Sequence, residues 1–87
     1  MLSSNHRSAR TPLQLGQLIR RERKSRGLSQ AALAELVGLR QATISALEAG
    51  EPGTRIGTLL NIIGALGWQL TFEPRVDAGA PGLDEIF

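Results

Sequence analysis

From Ser29 to Glu48 the sequence holds two short helical stretches separated by one glycine, and this spacing restricts the fold more than any other feature of the chain. Ser29 predicts an N-cap for Gln30-Ala31-Ala32-Leu33-Ala34-Glu35-Leu36-Val37, since its hydroxyl can accept from an unpaired backbone N–H of the first turn. Gly38 then allows the left-handed backbone that turns a chain sharply out of a helix. At helical spacing the next stretch, Leu39 to Glu48, has two unlike faces: Ile44 and Leu47 point one way, while Arg40, Gln41, Ala42 and Ser45 point the other.

Small Ala34 sits where these helices must cross closely, and Leu33, Val37, Leu39, Ile44 and Leu47 can share a core, so the pair reads as a helix-turn-helix. An ordinary αα-hairpin meets the same pattern. The outward face favours DNA: Arg and Gln can each form two hydrogen bonds with a base edge in the major groove, and the Ala42 methyl suits a thymine methyl. Arg40, Gln41, Ala42 and Ser45 are therefore the candidate base readers on a recognition helix.

Charge is unevenly divided along the chain. Residues 1–55 carry nine Arg or Lys against four Glu, a balance of +5, whereas residues 56–87 carry Arg75 against four acids, a balance of −3. A basic front half suits nucleic acid, although charges that merely solvate a surface would look the same. With 87 residues and 41% hydrophobic side chains, the chain suffices for one small helical domain. A core of this size is marginal alone, so a second subunit would help. The lack of cysteine removes disulfides and thiolate metal sites and fits a reducing compartment. No apolar run approaches the roughly 20 residues that span a bilayer, and Met1 to Arg7 lacks the apolar segment of a signal peptide. The expectation is a soluble, cytoplasmic protein without a membrane partner.

Residues 1–10 have no periodicity and predict a flexible N-terminal arm, in which Arg7 and Arg10 either reach DNA or simply belong to a loose terminus. Thr11-Pro12 reads as an N-cap with proline at the first helical position, opening a helix to about Ser25 that Gly27 terminates. Leu15, Leu18, Ile19 and Glu22 share its stripe. Ala49 to Gly53 is a loop on composition, and a further helix begins at Thr54 or Arg55 and ends at Gly67. Its apolar residues, Ile56, Leu59, Leu60, Ile62, Ile63 and Leu66, cover more than one face. Trp68 to Glu73 alternates, with Trp68, Leu70 and Phe72 on one side, and is the sole strand candidate. A lone strand leaves its backbone groups unpaired, so residues 68–74 predict a dimerisation strand that pairs with its copy across a two-fold axis. Leu59, Ile63, Leu66, Trp68, Leu70 and Phe72 are the expected dimer interface. Residues 75–87 read as a flexible tail whose Leu83, Ile86 and Phe87 either dock on a partner or stay disordered.

Residues 11–67 thus form the expected DNA-binding domain. The runs Ser29 to Gly38 and Gln41 to Glu48 resemble the phage-repressor-like (Cro/C1, XRE) helix-turn-helix family, over residues 12–67. That resemblance implies a mainly α, lambda-repressor-like domain of four to five helices, here with one C-terminal strand pairing across a homodimer. The added strand and the run Gln41-Ala42-Thr43-Ile44-Ser45 look most like HipB-type antitoxins. This likeness implies a homodimer that represses its own operon and binds a HipA-type serine/threonine kinase toxin. It also places Gln30 at a phosphate-gripping position and Arg23 with Glu48 in an ion pair between the first and third helices. Ser29, Thr43, Arg20 and Arg55 are further candidates for phosphate contacts, which position a protein without reading sequence.

The expected partner is double-stranded DNA bearing an inverted-repeat operator, read by two recognition helices roughly 34 Å apart. An enzyme is not expected: His6 is the only histidine, and no nucleophile–base pair, phosphate loop, cofactor motif or metal spacing occurs. Two other readings stay open, a free-standing repressor without a toxin and a protein-binding inhibitor for which DNA is secondary.

Overall fold

A computed structural model describes residues 7–75 and contains four helices: α1 (Pro12–Ser25), α2 (Gln30–Val37), α3 (Gln41–Glu48) and α4 (Ile56–Ala65). The caps follow from the side chains. Thr11 accepts from the N–H of Gln14 at 3.0 Å, and Gln14 Oε1 in return accepts from the N–H of Arg10 at 2.7 Å, so α1 starts with a reciprocal cap. Ser29 accepts from the N–H of Ala32 at 3.0 Å and opens α2. At the other end of α2, Gly38 adopts φ +73°, and the N–H of Leu39 returns to the carbonyl of Ala34 at 2.8 Å. A side chain at that φ is strained, which is why the turn between α2 and α3 carries glycine.

Helix α3 packs between α1 and α2, and α4 closes the domain against α2. Ile19, Leu33, Ala34, Ile44, Leu47, Ile62 and Leu66 form the buried cluster, with Leu15, Leu28, Val37, Leu39, Leu59 and Trp68 packed around it. Residues from all four helices thus share one core, and the apolar faces of α2 and α3 supply its centre. Glycine 16 lets α1 and α3 touch. A methyl group there would meet the carbonyl oxygen of Leu47 and lie 2.7 Å from that of Glu48, so the end of α3 rests directly on the α1 backbone.

The single chain differs from expectation in three places. The recognition helix starts at Gln41, with Arg40 as an extended N-cap and Leu39 turned toward the core, since the chain must first complete the turn out of α2. No strand forms among the described residues: Trp68 to Arg75 has no regular structure, because a single chain offers this segment no ladder. Leu66 at 1% exposure and Ile63 at 8% are buried within their own domain, so they are not free surface for a dimer. Leu70 at 53% and Phe72 at 94% are the interface candidates that remain exposed. Of the expected arm only residues 7–10 are described, and the tail residues Leu83, Ile86 and Phe87 lie outside the described residues.

Candidate nucleic-acid interface

The two-faced pattern of α3 places Ile44 and Leu47 in the core and leaves Gln41, Ala42 and Ser45 exposed on one side, with Arg40 exposed at the N-cap. Four candidate base readers are therefore gathered at the start of one helix. Thr43 is half-buried beside them. A shallow groove of about 450 Å³ runs between α3 and the start of α4, bringing Arg40, Ala42 and Thr43 together with Thr54, Arg55 and Thr58. Arg55 is the N-cap of α4, exposed, and lines the same groove as Arg40.

Behind this face lies a buried anchor. Arg23 of α1 and Glu48 of α3 are each 6% exposed. They meet through two contacts, Nε to Oε2 at 2.6 Å and Nη2 to Oε1 at 2.9 Å, and Nη1 donates to the carbonyl of Leu28 at 2.8 Å. A planar fork facing a carboxylate suits arginine alone among the basic residues. Burial pushes the Glu48 carboxyl up, but hydrogen bonds from Arg23 and Gln30, with the charges of Arg23 and Arg20, outweigh it and hold the group below its usual range. For Arg23 the hydrogen bond to Glu48 raises the pKa, and burial offsets only part of that.

Gln30 extends the anchor to the surface. Its Nε2 donates to Glu48 Oε1 at 3.1 Å, and its Oε1 accepts from Gln41 Nε2 at 3.5 Å. A carboxylate can only accept, so the NH₂ end of Gln30 must face Glu48, and its carbonyl is left to face Gln41. The chain of contacts Arg23–Glu48–Gln30–Gln41 thus runs from α1 to the most exposed end of α3. The family resemblance expects Gln30 at a phosphate; here one N–H and the carbonyl of its side chain go to Glu48 and Gln41, and its second N–H is left over. Ser29 spends its oxygen on the cap, yet its hydroxyl proton remains available to an anion. Arg20 is exposed on α1, near enough to Glu48 to stabilise its charge.

Two features escaped the sequence reading. Gly16 was not singled out, although a glycine inside a helix costs up to about 1 kcal/mol relative to alanine and so signals a close approach. The bridging role of Gln30 has no one-dimensional signal, because it depends on where three helices meet. The described residues contain no group of three or more His, Cys, Asp or Glu able to hold a metal, and none of their helices is long and apolar enough to cross a membrane.

A capped α2, a glycine turn and an α3 that shows a polar end over a buried ion pair define a helix-turn-helix domain. The chain belongs to the helix-turn-helix family HTH_3, which matches residues 19–71, and it is an XRE-type DNA-binding transcriptional regulator. It is 37% identical over 73 residues to an uncharacterized HTH-type transcriptional regulator, y4mF, of Sinorhizobium fredii, covering 84% of this chain and 88% of that protein. Among solved structures it is similar to a chain of a HipA-HipB-O2-O3 complex, with TM-score 0.69 and 30% identity over 77% of this chain and 94% of the other. It is also similar to the restriction-modification controller protein C.AhdI from Aeromonas hydrophila, with TM-score 0.63 and 31% identity over 67% and 88% of the two chains.

Proposed function

We propose that this regulator is a homodimeric repressor that reads an inverted-repeat operator through Arg40, Gln41, Ala42 and Ser45, and that it serves as the antitoxin of a HipBA-type module. The observation that carries the DNA-reading part is the Arg23–Glu48–Gln30–Gln41 chain. It holds one bidentate-capable side chain at the tip of an exposed helix, so the hydrogen-bonding group meets a base edge already oriented. In this mode Arg40 suits a guanine, Gln41 an adenine and Ala42 a thymine methyl. Ser29, Thr43, Arg20 and Arg55 would meet phosphates and fix the register without reading sequence. Gln30, half-buried, orients Gln41 through its side-chain carbonyl and keeps one amide N–H that would meet a phosphate.

The antitoxin part is supported by the likeness to a HipB-containing complex in which HipA is also present. A neutralised kinase partner would be held by surfaces away from α3, so that DNA and toxin can be bound together. Footprinting upstream of the protein's own gene, combined with co-purification from native cells, tests both parts. Protection of an inverted repeat together with recovery of a kinase-like partner is the expected result. An unprotected upstream region would overturn the autoregulatory reading. Protection without a kinase-like partner would favour the free-standing controller, a reading that the somewhat weaker likeness to C.AhdI supports.

A further inference from the structure

Arg7 lies in the stretch that sequence assigns to a loose arm, yet its guanidinium sits between two groups of the folded domain. Its Nε is 3.8 Å from Oε2 of Glu22 on α1, and its Cζ is 5.8 Å from the centroid of the Trp68 ring. The Glu22 side chain keeps 15% exposure and the Arg7 side chain 32%, which places the ion pair at the rim of the core with its arginine side open to water. Trp68, from the opposite end of the domain, packs against the buried cluster. Residues 7–12 and 68–75 form facing walls of a groove of about 760 Å³ that is floored by Ile19, Ile63 and Leu66.

We infer that Arg7 is a positioning residue that straps the 68–75 segment to α1, setting the direction in which Leu70 and Phe72 are offered to a second copy of the chain. A guanidinium suits this task, because its face can lie over an aromatic ring while its edge N–H groups point to a carboxylate. The segment needs such a hold. Helix α4 ends at Ala65, Gly67 takes φ +80°, and the first bond beyond it is the Trp68 N–H to the carbonyl of Ile63 at 3.0 Å. From there Leu70 and Phe72 continue exposed, so the placement of Trp68 sets where they leave the domain. The N-terminal stretch is thereby assigned to the C-terminal segment and not to DNA. The part concerning the second copy rests on the homodimer reading; the strap itself does not.

Trp68 is the only tryptophan in the chain, so its emission reports on the strap directly. In the full-length protein, Arg7→Ala is expected to move Trp68 emission to longer wavelength and to increase its quenching by acrylamide, with the far-ultraviolet circular dichroism unchanged. Glu22→Gln should reproduce part of that change, and Arg7→Lys should recover part of it by restoring charge without the planar contact. Because a dimer holds two straps, its dissociation constant in Arg7→Ala should rise about fivefold or more. A protein that stays monomeric at every concentration would remove the second-copy part, while the emission and quenching would still decide the strap. Unchanged Trp68 emission and quenching in Arg7→Ala, with or without a loss of DNA affinity, would overturn the proposal.

Discussion

Glu48 accepts from Arg23 at two points and from Gln30 at a third, so one carboxylate joins α1, α2 and α3. Removing it strands a buried guanidinium, and Glu48→Ala should cost about 3–5 kcal/mol, a large part of what holds a small domain together. Equilibrium urea unfolding checks this. The same carboxylate makes stability depend on acidity. Its folded pKa lies below that of the unfolded chain, so the contribution is fully present above the ordinary glutamate value and is lost as pH falls through the folded value. Unfolding free energy should therefore drop on acidification below about pH 4, and Glu48→Gln should flatten that part of the profile. A Glu48→Gln protein with the wild-type acid dependence would assign the effect to other carboxylates. Arg23 and Glu48 were legible as a pair only through the family resemblance, since 25 residues separate them and nothing local links them. The third partner, Gln30, was legible as a functional position but not as a bridge.

The helices themselves were largely legible, because their ends are written in short-range chemistry. Thr11-Pro12, Ser29 and the glycines at 27, 38, 50 and 67 all mark boundaries that the structure uses, and the apolar spacing of α2 and α3 sorts core from surface. What the sequence could not show is which helix faces meet. Leu66 looked available to a partner because α4 is apolar on more than one side, but α4 turns that side into its own core. The glycines of α1 and α4 illustrate the same point through opposite outcomes. Gly16 lies against the carbonyl oxygens that end α3, so Gly16→Ala should push α1 and α3 apart and cost about 1–3 kcal/mol. Gly64 is exposed, and a methyl group there meets nothing within 4 Å. Gly64→Ala should therefore raise stability by about 0.5–1 kcal/mol through helix propensity. Thermal unfolding of the two variants side by side separates them. A destabilised Gly64→Ala protein would show that this face of α4 is occupied in the assembled molecule.

For the whole molecule, the basic residues of the first two-thirds of the chain are proposed to set the strength of DNA binding and the start of α3 to set its selectivity. Binding through phosphate contacts releases counterions, so operator affinity should fall steeply and linearly on a logarithmic salt axis, and Arg55→Ala should reduce that slope by about 1. A slope unchanged by Arg55→Ala would remove that residue from the phosphate contacts. The most direct test of the central claim compares wild type and Gln41→Ala on the operator and on a random duplex at one salt concentration. The account predicts that the variant loses about 1–3 kcal/mol on the operator, keeps its affinity for the random duplex, and relaxes its preference at one base position in each half-site. An equal loss on both duplexes would contradict it, because Gln41 would then hold DNA without reading it.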